Sequence, residues 1–371
     1  MTIRHEADAP QTNAGLRPEL QSDPTTGGTR AGYAGRAVFV SRRGGPNVLE
    51  VRDHYVPAPG PDEVVVEIRA AGVAFGDLLL REGLHPGVKL PSIPGYDAAG
   101  VVLAVGASVT NVSVGAPVAV WTGGRGGYAA HVLAPAWAVV EYPAELRPEV
   151  VASLILNYLT AYQMLTRSAP VARGGTILVH PAAGGVGLAL LQLGALRGLR
   201  MFGTASTSKT HLLAQAGAEP IDYRTQDYAQ RIRTEAPTGI DAIYDGVGGG
   251  DWKKDLSLLR PGGLLVAYGL SAGFKNGRRN VPRLVSSVLR TPRTSYLTYF
   301  TKSIGVVGYG SGAFVSAHPD WYREDISALL GLLHDGKIVP LVHQTFPLEQ
   351  AAQAHREMGA GRAIGKILLT P

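Results

Sequence analysis

The sequence predicts a two-lobed α/β protein, with an all-β lobe of barrel character followed by a parallel, doubly wound sheet flanked by helices. Three observations carry this. A chain of 371 residues, 45% hydrophobic and 17% charged, is too long for one typical core. Up to about residue 150 the apolar runs are short, branched and punctuated by Gly and Pro. Beyond that point strand-like and helix-like runs alternate, the pattern of βαβ units.

Taken in order, residues 1–34 are rich in Thr, Gly, Pro, Asp and Ala without apolar periodicity, and are expected to be a disordered extension. They hold no continuous apolar stretch of the secretory-signal kind. From Arg36, "RAVFV", "DEVVVEIRAAGV", "AAGVVLAVG", "GAPVAVW" and "YAAHVLAP" read as strands of the β lobe. "EVVASLILNYLTAYQML" spaces its apolar residues like a buried helix. Then "TILVH", "GVGLALLQLGALRG", "RMFGTA", "KTHLLAQAGA", "EPIDY", "YAQRIRTEA", "DAIYDGV" and "LLVAYG" alternate, and "SIGVVGYG" supplies a last strand. The closing "GKILL" is a strand expected to return to the first lobe.

Cysteine is absent, which excludes disulfides, thiolate catalysis and cysteine-ligated zinc. Ten histidines are scattered without a close ligand pair, so no metal site is expected. No stretch approaches the roughly 20 apolar residues of a membrane helix. The net charge of +6 is concentrated: residues 271–303 hold Lys275, Arg278, Arg279, Arg283, Arg290, Arg293 and Lys302 and no acid. This segment is either a solvated basic surface or one that meets phosphates or an acidic partner. No aromatic-basic module accompanies it, so nucleic acid is not an expected partner.

The most informative stretch is "VHPAAGGVGLALLQL", residues 179–193. An apolar strand ends at His180, Gly184 and Gly187 open a turn, and a helix follows at once. Gly184 lets backbone approach a pyrophosphate, Gly187 lets helix and strand pack closely, and the helix N-terminus offers N–H donors. The alternative is a turn that uses glycine for steric reasons alone. At the end of the next strand, where an acid would grip a ribose 2′-OH, stands "FGTASTSK". Thr204, Ser206 and Thr207 are neutral hydrogen-bonders and Lys209 is a cation for a 2′-phosphate, so NADPH is favoured over NADH. Helix N-capping is the alternative role for Ser206 and Thr207.

Together, "NYLTAYQML", "ILVHPAAGGVG", "FGTASTSK", "PIDYR" and "GKIVPLVHQTFPLEQAAQAH" resemble the zinc-independent quinone oxidoreductases of the medium-chain dehydrogenase/reductase superfamily. "NYLTAY" and "SVLRTPR" are most similar to the branch of the synaptic-vesicle membrane protein homologues, and the resemblance runs from Arg36 to Pro371. It implies a GroES-like β-barrel lobe over residues 35–157 and 311–371, a Rossmann lobe over 158–310, a cleft between them, and a homodimer. It also implies NADPH held by Gly184, Gly185, Val186 and Gly187 at the pyrophosphate and by Ser206, Lys209 and Tyr223 at the 2′-phosphate. Thr160 would lie beside the nicotinamide, Lys366 at the cleft, and the loops around Val247 and Gly269 along the cofactor.

Two departures from the family matter. In "AGVAFGDLLLREGLHPG", Ala74 stands where an Asn is usual and His85 where a Tyr is frequent. His85 is the first candidate proton donor, with a plain loop histidine as the alternative. Tyr158 is the second, against a core tyrosine with a satisfied hydroxyl. Asp77 is expected to be structural, capping "LLLREG". The expected activity is NADPH-dependent hydride transfer to a quinone or activated C=C bond of a small hydrophobic substrate, such as a tailoring step in natural-product biosynthesis. The alternative is a non-catalytic NADPH-binding scaffold or sensor. An acidic carrier protein is a further expected partner, and the cytoplasm the expected compartment.

Overall fold

The computed structural model describes residues 19–22, 29–85, 87–275, 277–291 and 295–371. Six parallel strands form the nucleotide-lobe sheet: β1 (Thr176–His180), β2 (Arg200–Ala205), β3 (Glu219–Asp222), β4 (Ile240–Asp245), β5 (Leu259–Ala267) and β6 (Gly305–Gly308). Their order is β3-β2-β1-β4-β5-β6, so the winding reverses between β1 and β4. Burial on both faces explains the continuous apolar runs. Along β1, Ile177 and Val179 enter one core cluster and Leu178 the other.

The β lobe is a seven-stranded sheet built on Glu63–Val73 and Asp97–Val105, which pair antiparallel. Its last two strands are Val342–Pro347 and Lys366–Thr370, and the latter pairs antiparallel with Glu63–Val73, as expected for "GKILL". A separate three-stranded antiparallel sheet joins Glu19–Ser22, Thr29–Val40 and Leu49–Pro57. This corrects the expected extension, because Glu19–Ser22 and Thr29–Ala34 are strands within it. The pairing partner of Gly32 to Ala34 is Tyr55 to Pro57, a non-local ladder that local composition does not encode. The rest of the expected extension, 1–18 and 23–28, lies outside the described residues.

Three helices position the site: α1 (Phe75–Arg81) in the β lobe, α2 (Pro148–Gln163) between the lobes, and α3 (Gly185–Leu196) behind β1. Pro148 opens α2, where a missing N–H costs nothing. Most of α2 is apolar and buried, but Ser153, Asn157, Thr160 and Gln163 form a buried polar row at three- and four-residue spacing. The basic segment forms a short hairpin, Phe274–Lys275 with Arg278–Arg279, then the helices Val281–Arg290 and Tyr296–Lys302. Arg81, wholly buried at the end of α1, anchors that hairpin: its Nη2 donates to Gly277 O (2.6 Å) and to Glu82, and its Nε to Gly44 O.

Candidate cofactor and active site

The turn after β1 and the start of α3 lie at the carboxyl end of an interior strand, beside the reversal of winding, where open α/β sheets bind ligands. Gly184 is the N-cap of α3, in extended backbone, bridged to Gly365, and no side chain caps the first-turn amides of Gly185, Val186 and Gly187. The three glycines differ in what they make room for. A Cβ on Gly187 would lie 2.3 Å from Pro181 O, so this residue packs α3 against the strand end. A Cβ on Gly185 would strike the Asn157 amide at 2.2 Å. A Cβ on Gly184 would meet nothing within 4 Å, so Gly184 borders open space. The turn therefore offers a dipole-positive cradle with room for an anionic group.

At the end of β2, Ser206 and Ser208 place hydroxyls 3.4 Å apart on the surface, and Ser206 does not cap the following helix. Tyr223, 54% exposed, hydrogen-bonds through its amide to Ala205 O and so stands beside them. Lys209 is half-buried, which lowers its ammonium pKa, and it donates to Gly361 O (2.7 Å) and Ala363 O (2.9 Å). A lysine has three donors, so one remains for an anion. The sequence reading missed Asp222, whose carboxylate accepts from the Thr207 hydroxyl and the Arg224 amide and is held below the usual carboxylate range by them. These residues fit a phosphorylated dinucleotide: open cradle, uncapped amides, and hydroxyls with a cation at the ribose end.

Three expected site residues are placed differently. Thr204 is buried, and its hydroxyl turns inward to His180 Nδ1 at 2.6 Å. Lys366 is sealed in the β lobe and bonds Asp97 Oδ2 at 2.7 Å, because a buried carboxylate there requires a counter-charge. The glycine at position 72 makes the room, since a Cβ would lie 2.1 Å from Lys366 Cε. Tyr158 donates to Gln192 Oε1 (2.9 Å), and Gln192 in turn bonds Val339 through both its amide atoms, so Tyr158 is a satisfied core tyrosine.

The surroundings of four further expected residues are as follows. Thr160 is buried beside Tyr309, which directly follows β6 and bonds Gln163 Oε1. Val247 donates to Asp245 Oδ1 at the end of β4. Gly269, after β5, lies against Gly246, where a Cβ would sit 2.4 Å from the carbonyl. His85 is half-buried, with Nε2 2.9 Å from Tyr96 Oη. Tyr96 itself packs against Trp121 and shares a core cluster with Ala183 of the glycine turn, and burial raises its hydroxyl pKa well above the ordinary value. Sequence reasoning found His85 but not its partner, although "PGYD" placed Tyr96 next to the buried Asp97.

Asp77 caps α1 by accepting from Ala74 N, and it also accepts from Gly95 N and Tyr128 Oη. Behind it Tyr128 Oη contacts His355 Nε2, and His355 Nδ1 contacts Arg81. Burial pushes the Asp77 carboxyl up to about 7. Beneath the glycine turn is a second buried group: Tyr228 donates to Asp255 Oδ1 at 2.7 Å, and His180 Nε2 lies 3.8 Å from the same oxygen. Among the described residues no three His, Asp or Glu side chains converge as metal ligands. Nor is any described helix long and apolar enough to cross a membrane.

The two lobes, the reversal of winding and the glycine turn define the medium-chain dehydrogenase/reductase architecture. Residues 60–144 match the alcohol dehydrogenase GroES-like domain family and residues 216–369 the zinc-binding dehydrogenase family. The chain is 35% identical to the synaptic vesicle membrane protein VAT-1 homolog of Rattus norvegicus, over 87% of this chain and 80% of that one. It is 37% identical to a quinone oxidoreductase of Pseudomonas aeruginosa, over 88% of this chain and 97% of that one. The crystal structure of Escherichia coli quinone oxidoreductase complexed with NADPH superposes with a TM-score of 0.80 at 28% identity, covering 91% of this chain and 100% of that one. The chain belongs to the medium-chain dehydrogenase/reductase superfamily, within its quinone oxidoreductase family and in the branch of the VAT-1 homologues. It is an oxidoreductase by family.

Proposed function

We propose that the chain binds NADPH and transfers hydride, without zinc, to a quinone or an activated C=C bond of a small hydrophobic substrate. One observation carries this: the α3 N-terminus, without a side-chain cap, opens at Gly184 onto free space, while the end of β2 presents Ser206, Ser208 and Lys209, and the neighbouring Asp222 carboxylate is taken up by the Thr207 hydroxyl and the Arg224 amide. Gly184, Gly185, Val186 and Gly187 would hold the pyrophosphate, and Ser206, Lys209 and Tyr223 the 2′-phosphate. Thr160 and the backbone around Val247 and Gly269 would line the nicotinamide end. NADPH, when bound, supplies the hydride.

The chain's own residues then have three tasks. Tyr96, backed by Trp121, would offer an aromatic side to a flat apolar acceptor and help to exclude water. Hydride arriving at the acceptor leaves an electron pair on oxygen or carbon, and one proton closes the balance. The His85–Tyr96 pair holds that proton, with Tyr96 Oη or His85 Nε2 as the donor atom. Ala74, where the family usually has Asn, widens the range of acceptors and fits a tailoring reaction on a natural-product intermediate. We also read the outer edge of β6, which pairs with no further strand among the described residues, as the line along which a second copy adds to give a homodimer.

The test is NADPH consumption against a panel of quinones, enones and enoyl thioesters. Turnover with at least one class is expected. Tight NADPH binding with no acceptor would favour the second reading, a cofactor-binding scaffold or sensor, for which the loss of the usual Asn at position 74 is the supporting observation.

A further inference from the structure

We infer that Asn157 of α2 binds the diphosphate of the cofactor, completing the α3 cradle with a side-chain donor. The inference rests on the NADPH reading above and adds a contact to it. Four polar side chains form the buried row on α2, and three of them have partners inside the fold. Ser153 donates to Glu149 O (2.8 Å), Thr160 bonds Tyr309, and Gln163 bonds both Tyr309 and Asp325. Asn157 is 9% exposed, and among the described residues its side-chain amide makes no hydrogen bond. Burying an amide without a partner is unfavourable, and Asn is also a weak helix former, so position 157 costs the fold twice. A group of this kind points to a ligand that satisfies it.

The packing of the amide selects the part of the cofactor. A Cβ on Gly185 would lie 2.2 Å from Asn157 Nδ2, 2.8 Å from its Cγ and 3.2 Å from its Oδ1, so the amide lies against the first residue of α3 with its nitrogen foremost. Gly185 heads the first-turn amides, which no side chain caps. Asn157 Nδ2 therefore joins a group of N–H donors at the positive end of a helix, where an anion is favoured. An amide nitrogen donates and does not accept, which matches phosphate oxygen. This also gives position 185 its reason to be glycine, since even an alanine would displace the amide. Thr160 lies on the same face of α2 one turn further on, and the cofactor reading puts it at the nicotinamide end. The polar row thus runs along the cofactor, from the diphosphate at Asn157 to the ring at Thr160.

The test combines calorimetry with thermal unfolding of the full chain carrying Asn157→Leu, which keeps the volume and removes the amide. NADPH should bind about tenfold more weakly than to the unaltered chain. Adenosine 2′-monophosphate, which has no diphosphate, should bind both chains equally. The melting temperature measured without nucleotide should hold or rise, because the unpaired amide is gone. Asn157→Asp sets an acceptor-only carboxylate beside the phosphates, and should weaken NADPH about hundredfold. Unchanged NADPH affinity in Asn157→Leu overturns the inference whatever the melting temperature does, and makes Asn157 a structural residue. Equal weakening of NADPH and adenosine 2′-monophosphate overturns it too, since the change then spreads beyond the diphosphate. If the unaltered chain binds no NADPH, the cofactor reading itself fails and the inference falls with it. NADPH binding by the unaltered chain with no loss in either variant strikes this inference alone.

Discussion

Lys366 Nζ lies 2.7 Å from Asp97 Oδ2, with both side chains shut off from water. The pair ties the last strand of the chain to the strand Asp97–Val105 in the interior of the β lobe. Asp97 also accepts from Leu156 N on α2, and it neighbours Tyr96. On the other side, Gly365 forms a bridge with Gly184 of the glycine turn. One buried ion pair thus connects the proton-donor candidate, the interlobe helix and the cofactor cradle. Lys366→Met should cost about 3–5 kcal/mol, because the Asp97 carboxylate is left buried without a counter-charge. Adding Asp97→Leu should recover part of it. Urea unfolding reads both; a change in NADPH affinity without loss of stability would instead put the ammonium on the cofactor.

The glycine turn predicts a contrast between two like substitutions. Gly187→Ala should lower stability by about 1–3 kcal/mol, since its Cβ runs into the Pro181 carbonyl. Gly184→Ala should leave the melting temperature unchanged, because its Cβ enters open space. Yet it should weaken NADPH binding, since that space is the cradle. Equal NADPH affinity in Gly184→Ala and the unaltered chain would remove the cradle from this turn.

The His85–Tyr96 contact predicts a kinetic signature. His85→Phe and Tyr96→Phe should each lower kcat by about 10²-fold while leaving NADPH affinity nearly unchanged. Because the two act as one donor, the double variant should be hardly slower than either single one. Additive losses would mean two separate roles.

Buried acids set the pH dependence. Burial pushes the Asp255 carboxyl up to about 7, and it pulls the His180 imidazole down to about 3, helped by the Lys254 charge. A carboxyl raised on folding stabilises the fold below its unfolded pKa, and that stability is lost as pH rises through about 7. An imidazole lowered on folding acts oppositely, with stability lost as pH falls from its unfolded value toward about 3. The two slopes oppose each other between these limits. Asp255→Asn removes one of them and still accepts from Tyr228. Its stability relative to the unaltered chain should therefore rise between pH 4 and pH 7, by up to about 4 kcal/mol. A pH-independent difference would show that Asp255 is not raised.

Local sequence pattern carried far in this chain. The alternation of β1 to β6 with helices and the position of the glycine turn depend on short-range periodicity and on glycine, so both are legible along the chain. What failed depends on distant partners. Thr204 looked like a ribose ligand because nothing near it reveals that His180 takes its hydroxyl. Lys366 looked accessible because its counter-charge is 269 residues away. Arg81, in a stretch that reads as the polar end of a helix, is wholly buried because Gly44, Gly277 and His355 converge on it. The strand at Thr29–Ala34 likewise depends on its ladders to Glu19–Ser22 and to the residues around Tyr55.

The central claim is that this crevice takes a 2′-phosphorylated dinucleotide, and titration calorimetry tests it most directly. The unaltered chain should bind NADPH at least about 10-fold more tightly than NADH, and Lys209→Gln should erase most of that difference by weakening NADPH alone. Equal affinity for both nucleotides, or a preference for NADH with Asp222 on the ribose, would contradict it.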